Sequence, residues 1–448
     1  MKHHRKALAV VLASIVALAG CSAASSSSPP AGSGASAPAS VPSVVSAGPS
    51  SSADSSSSSA PPAFSATLKL YHDKTTWQDY FVQLAVSSKQ AKGVSLDPVP
   101  YSDQDAFKAF IRQSFQTSAK PDLFTWWTGG ALQDLVNQGL VADTSSLWQQ
   151  AIADGNATKE QAKYFTIKGH QYCVPLIWSP WVIYYNTKVF AHAGLSAPTS
   201  WDQLIAAAAK LKAAGITPFP DTSGPFSYAM FQLLLSGTDP KLYSGLADGS
   251  IKFTDPGVIA VMNKWSEMIK AGYFSQPGGK ADFVGDLKNG KIGMEYLGTW
   301  FRGNLAKGGM TPADYSMILP PSVNGSNKVM IVEPGPLCSG TNSPNSKAAS
   351  AFLTWMFTPD AQGKWSNLRN DVSFNPKAKI DAPSLAAFNQ AASSGGYTVE
   401  NMFYNQMPLP IATVALSQFD AFIADPSNPT AQLDKIQGAA DSYWSQHK

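Results

Sequence analysis

The sequence predicts an α/β protein in two lobes, on three observations. From about Ala63 onward, strand-like runs alternate with helical ones, the order that builds a parallel sheet covered by helices on both faces. That part holds about 386 residues, more than one hydrophobic core usually organises. Residues 22–62 are almost wholly Ser, Ala, Pro and Gly, with Asp54 their one charge, and so lack the apolar surface needed to offset the entropy of ordering. They read as a linker, and 41 residues of that composition average roughly 35 Å end to end.

The elements follow in order. Thr67-Leu-Lys-Leu-Tyr71 alternates as a strand does, a helix is expected from about Thr76 to Lys89, and Val94 to Leu96 reads as a second strand. Ser102 begins a helix on which Phe107, Phe110, Ile111 and Phe115 recur at helical spacing, and Pro121–Thr125 returns to a strand. A helix after Trp126-Trp127-Thr-Gly-Gly130 carries Leu132, Leu135 and Val136 on one side and stops at Gly139. Ser200-Trp-Asp-Gln203 has the spacing of a capping box, with Gly215 closing its helix. Further helices are expected near Pro256–Lys270 and Lys347–Phe357, the latter ended by Thr358-Pro359.

At the N-terminus Lys2, Arg5 and Lys6 precede an apolar run from Ala7 to Ala19, the charge-then-hydrophobe order of an export signal, too short to span a bilayer. It ends in Leu18-Ala19-Gly20-Cys21, which resembles the bacterial lipobox. That resemblance implies a signal peptide over 1–20, a lipidated Cys21, and residues 21–62 as a tether holding the folded part at the outer face of the cell membrane. The other two cysteines, Cys173 and Cys338, lie in short extended runs. In an exported protein they either form a disulfide or remain two buried thiols.

Composition narrows the function. Outside the signal and linker, 30 basic residues face 29 acidic ones, a balance that gives no reason to expect nucleic acid as a partner. No nucleophile elbow, HExxH, CxxC or phosphate loop occurs, and His72, His170, His192 and His447 are scattered, so neither a metal nor another cofactor is expected. A glycosidase would need a pair of carboxylates across its substrate. The chain has five Glu, at 160, 267, 295, 333 and 400, but Asp is more plentiful, so an extracellular hydrolase stays open as an alternative. A binder of peptides or of an anionic metabolite is a third reading, weakened by the sparse Arg around the candidate loops.

Four stretches carry a resemblance: Pro121–Gly130, Val174–Asn186, Lys291–Trp300 and Asn345–Trp355. With them the chain resembles the family 1 extracellular solute-binding proteins of carbohydrate ABC transporters, the group that includes maltodextrin-binding protein. The resemblance implies a two-lobed periplasmic-binding-protein fold with several hinge crossings, closing over a carbohydrate in the cleft between the lobes. It also implies a monomer that hands a short oligosaccharide to permease subunits and catalyses nothing. One crossing is expected at Tyr184-Tyr185-Asn186, a return around Val332–Cys338 and a third after Asn370. Residues 63–182 and 332–375 would then form lobe 1, and 183–331 and 376–448 lobe 2.

A neutral sugar offers hydroxyls that need directional partners and CH faces that lie on aromatic rings, which selects the candidates. Trp126 and Trp127 follow a strand, and successive residues there face opposite ways, so one lines the cleft while the other packs. Trp178 and Trp181 flank Ser179-Pro180, where proline argues against an uninterrupted strand; they either meet ligand or pack against the hinge. Trp300 and Arg302 follow Gly298-Thr299, a ring and a planar donor at the mouth of the second lobe, unless Arg302 neutralises a carboxylate. Glu333, on the returning crossing, accepts hydroxyl bonds or makes a hinge ion pair. Asp73 after the first strand, Asp221, Phe226 and Tyr228 in a Gly- and Pro-rich loop, and Arg369, Asn370 and Asp371 complete the set, the last three with a solvated turn as the alternative.

Overall fold

The computed structural model describes residues 65–117, 120–278 and 282–447; the signal, Cys21 and the linker lie outside the described residues. Among the described residues ten strands run β1 Ala66–His72, β2 Val94–Pro100, β3 Leu123–Thr125, β4 Thr166–Ile167, β5 His170–Gln171, β6 Val174–Asn186, β7 Met294–Gly298, β8 Tyr315–Ile318, β9 Val329–Ser339 and β10 Thr398–Asn401. The main sheet has the order β2-β1-β3-β9-β6-β7, with β10 paired to β9 and β8 to β6; β4 and β5 form a separate pair.

The helices begin where the local chemistry dictates. Asp103, rather than Ser102, caps the helix Gln104–Ser114 by accepting from the Ala106 N–H at 2.7 Å, and Phe107 and Ile111 bury its inner face. Ser200 accepts from the Gln203 N–H at 3.3 Å, but Gln203 Oε1 accepts from the Thr199 N–H at 2.9 Å. The reciprocal half of the capping box is therefore displaced by one residue, and the helix Trp201–Ala213 follows.

Two large cores sit at the two ends of the sheet. One gathers Leu68, Leu70, Phe81, Phe107, Phe124, Trp148 and Trp365; the other gathers Tyr184, Phe231, Trp265, Phe403 and Phe419. The expected all-parallel sheet is only partly present. β1 is parallel to β2 and β3, but β9 is antiparallel to both β3 and β6, and β7 and β8 are antiparallel to β6. The reason is that β6 and β9 are long strands that pass from lobe to lobe in opposite directions, which local alternation of strands and helices does not reveal.

β6 also corrects the expectation at Pro180, because it runs unbroken through Pro175 and Pro180 for 13 residues. Pro180 is the last residue registered with β9, opposite Val332, and Trp181 is the first registered with β7, opposite Gly298. A residue without an N–H is tolerated where the strand changes partners, and its carbonyl accepts from the Thr299 N–H at 2.8 Å. Cys173 and Cys338, just before β6 and within β9, are joined by a disulfide.

Glu295, the second residue of β7, is fully buried, and neither carboxyl oxygen has a hydrogen-bond partner among the described residues. Burial pushes its pKa well above the ordinary value of 4.5. The folded protein therefore holds a proton that the unfolded chain releases. The contribution of Glu295 to stability is complete below the ordinary carboxyl range and falls as pH rises above it, until the raised folded pKa is passed. Glu295→Gln should show a flatter decline of melting temperature between about pH 5 and 8 than the parent. Superimposable slopes would refute the buried-acid account.

Candidate functional site

Side chains of β6, of the turn after the helix Pro359–Arg369 and of the segment after β7 form a buried network. Ser179 of β6 donates to Asp371 Oδ2 at 2.8 Å, Arg369 pairs with the same carboxylate, and the Val372 N–H donates to Asp371 Oδ1 at 2.8 Å. Arg302 donates to Asn370 Oδ1 at 3.3 Å across the waist, and its guanidinium lies 5.5 Å from the Tyr315 ring centre. The Arg369–Asn370–Asp371 cluster is thus largely buried rather than a solvated turn: Arg369 and Asp371 are almost fully enclosed, and Asn370, at φ +53°, ends the helix Pro359–Arg369.

Directly beside this network lies a cavity of about 320 Å³ whose walls come from both ends of the sheet. On one side stand Lys74, Thr76 and Trp77, which follow β1, and Trp127, which follows β3; both loops leave the C-terminal ends of parallel strands. On the other side stand Phe226 and Tyr228, before the helix Ala229–Thr238, with Trp300 and Asn304 after β7. Glu333 of β9 faces the same space, and Met402, Tyr404 and Leu416 close it from the C-terminal region.

Local sequence places the rings. A Cβ on Gly298 would lie 2.3 Å from Trp300 Nε1, so the glycine provides the space into which the indole folds back. From there Trp300 Nε1 donates to Glu333 Oε2 at 2.8 Å, and the Trp300 ring stacks on Phe226 with centroids 6.0 Å apart. Gly129, at φ +66°, combines left-handed backbone with a close approach, since a Cβ there would meet the Asn405 carbonyl oxygen. That contact brings the Trp127 loop against the segment that carries Met402 and Tyr404.

The charges in the cavity are matched. Lys74 donates to Asp73 Oδ2 at 2.8 Å, and Asp73 is itself held by the Thr125 hydroxyl at 2.9 Å. Burial works against the Lys74 charge, but Asp73 and Glu333 outweigh it and raise its pKa, so the ammonium persists. Burial raises the pKa of Glu333, opposed by Lys74 and by the Trp300 N–H. Gln104, Asn304 and the Tyr404 hydroxyl also line the cavity or its rim and make no side-chain hydrogen bond among the described residues.

The sequence candidates thus separate by location. Trp127, Tyr228, Trp300 and Glu333 line the cavity. Asp73 sits behind Lys74, and Trp126 packs into the first core with its N–H on the Ala131 carbonyl at 3.0 Å. Trp181 is fully buried among Phe226, Tyr228 and Tyr296, supporting rings that line the cavity without lining it. Arg302, Asn370 and Asp371 belong to the waist network, and Trp178 faces a different cavity. Of the weaker candidates, Phe226 lines the cavity, whereas Asp221 holds its own loop by accepting from Ser223 and from the Gly278 N–H.

Lys74, Thr76, Trp77, Gln104, Asn304, Met402, Tyr404 and Leu416 were not among the sequence candidates. Trp77 had a usable signal, standing after β1 much as Trp127 stands after β3. Asn304 lies one helical turn beyond Trp300. Tyr404 comes from the far end of the chain and had none.

Among the described residues, no group of His, Cys, Asp and Glu is arranged to hold a metal ion, and no helix is long and apolar enough to cross a membrane. Solved structures share the fold at low identity. The bacterial solute receptor AcbH, described with a preference for β-D-galactopyranose, matches with TM-score 0.71 at 20% identity, covering 86% of this chain and 99% of that one. The maltose-maltodextrin binding protein of Alicyclobacillus acidocaldarius matches with TM-score 0.66 at 16% identity, covering 83% and 99%. Both are two-lobed binding proteins, and the fold here is of that kind.

Among curated proteins, an uncharacterized ABC transporter extracellular-binding protein of Pyrococcus horikoshii is 25% identical over 289 residues, 61% of this chain and 62% of that one. A probable sugar-binding periplasmic protein of Brucella suis is 24% identical over 238 residues, 50% of this chain and 55% of that one. The chain thus spans less than two thirds of the length of these relatives. Residues 83–390 match the family model described as bacterial extracellular solute-binding protein, and the chain belongs to that family.

Proposed function

We propose that the protein captures a neutral carbohydrate, one or two rings of a short oligosaccharide, in the cavity between its lobes and delivers it to the permease of an ABC transporter. The observation that carries the reading is the pairing of aromatic walls: Trp77 and Trp127 on one side, Phe226, Tyr228 and Trp300 on the other, with unpaired polar groups between them. Rings provide flat platforms for sugar CH faces, while Gln104, Asn304, Tyr404 and Glu333 offer directional partners for hydroxyls. A volume of about 320 Å³ lies at the small end for ligand sites, which favours a short ligand. The names of several relatives and structural neighbours, among them a chitin oligosaccharide binding protein, point to the same substrate class.

Capture works through the two walls together. A sugar that touches both lobes binds the closed arrangement better than the open one and shifts the population toward it. Glu333 is the single carboxylate among the described residues lining the cavity, whereas hydrolysis of a glycosidic bond calls for two, so binding without turnover is the reading adopted. Lipidation of Cys21 would keep the monomeric binder near its permease, with residues 22–62 as the tether.

Calorimetric titration with a panel of neutral mono- and oligosaccharides, alongside an assay for hydrolysis products, tests the proposal. Saturable binding without product is expected. Steady release of product would replace it with a hydrolase, and binding of peptides or anions but no sugar would replace it with another class of solute receptor.

A further inference from the structure

The crossing strands have two faces, and the cleft uses one of them. In the register of β6 and β9, Ser179 lies opposite Glu333, whereas Trp178 lies opposite Pro334 and Pro180 opposite Val332. Side chains alternate along a strand, so Trp178 and Pro180 project away from the face on which Glu333 meets the cleft. They enter a second cavity of about 330 Å³, close in size to the first.

This cavity is a built space. Trp178 and Tyr164 pack edge to face with centroids 5.4 Å apart, and Phe374 adds a third ring. The Tyr164 hydroxyl donates to the Val399 carbonyl at 2.9 Å and Gln161 Nε2 to the Phe374 carbonyl at 3.0 Å, so the walls are tied in place. Three groups at the rim or wall have no hydrogen-bond partner among the described residues: the Trp178 indole N–H, the Asn389 amide and the Glu160 carboxylate. Trp178 is partly exposed, so its ring and its donor are both accessible from the cavity.

We propose that this cavity is a second binding site, separate from the cleft, for a single neutral sugar ring. Aromatic faces beside an unpaired donor, amide and carboxylate are the chemistry a pyranose requires: its CH face lies on a ring while its hydroxyls take the free polar groups. No rim residue is basic, which disfavours an anion, and the free polar groups disfavour a purely apolar guest. The assignment rests on the rings and free groups of this cavity and does not depend on what the cleft binds.

The test is titration of the full chain with glucose, galactose, maltose and chitobiose into the millimolar range, scored for binding equivalents. Two variants accompany it. Ser393→Trp, at an exposed helix position on the rim, fills the cavity, and Trp178→Phe keeps a ring but removes the indole donor. A second, weaker equivalent is expected in the parent, absent in Ser393→Trp and weakened about fivefold or more in Trp178→Phe, with the tighter event unchanged in both. If no binding event across the whole panel is abolished by Ser393→Trp and weakened by Trp178→Phe, the proposal is overturned. Loss of the tighter event on truncating Trp300 reports on the cleft alone, so failures of the two sites are told apart.

Discussion

Trp300→Ala is expected to weaken sugar binding by about 2–4 kcal/mol, roughly 30- to 1,000-fold, while leaving the protein folded. Three losses combine. The ring that stacks on Phe226 disappears from the second-lobe wall. Glu333 loses the indole N–H that it accepts at 2.8 Å, so its carboxylate becomes harder to keep charged in a site where burial already raises its pKa. Phe226 also loses a face against which it is ordered. Stability should change modestly, because Trp300 is only partly buried and borders a cavity. Calorimetry and thermal melting together decide the matter: unchanged affinity with a lowered melting temperature would reassign Trp300 from the ligand wall to the core.

Asp371→Ala should have the largest effect on stability, a loss of about 3–5 kcal/mol in urea unfolding. The side chains of Arg369 and Asp371 are 2% and 1% exposed, so removing the carboxylate strands a guanidinium that water cannot reach. The same change frees the Ser179 hydroxyl and the Val372 N–H, breaking the link between β6 and the turn that follows the helix Pro359–Arg369. Arg369 also lies over the ring of Trp77, 4.5 Å from its centre, so disorder here would reach the first-lobe wall of the cleft. The double variant Arg369→Met with Asp371→Leu should recover much of the loss, since a buried pair can be replaced by apolar groups at little cost. A loss under about 1 kcal/mol for Asp371→Ala would show that the pair is solvated in solution.

Much of the fold was legible locally. The alternation in Thr67–Tyr71 and the apolar spacing of Phe107 and Ile111 reflect forces acting within one strand or one helix, and the structure places β1 and a helix there. The strand at Pro180 was not legible, because proline excludes a ladder donor in general but not where a strand exchanges one partner for another. Antiparallel pairing of β6 with β9 was hidden for a similar reason: direction within the sheet depends on segments about 150 residues apart.

The same division runs through the cleft. Residue chemistry, taken with the family resemblance, marked Trp127, Trp300 and Glu333 as groups suited to a sugar, Trp127 after a strand, Trp300 at the mouth of the second lobe and Glu333 on a crossing. It could not separate Trp127 from Trp126, or Trp178 from Trp181, because a one-residue or three-residue offset along a strand decides which face a ring takes. Nor could it reveal that Lys74, Trp77 and Tyr404 converge on one space, since their nearness is created by packing of distant segments. The sequence by itself determined the export-like N-terminus, the α/β alternation and the stock of rings and hydroxyl-bonding groups, all properties of composition and short-range pattern. Only the tertiary structure decided which aromatics form facing walls, which charges lock the waist and which face of β6 each tryptophan takes, because those outcomes depend on register and on contacts between lobes.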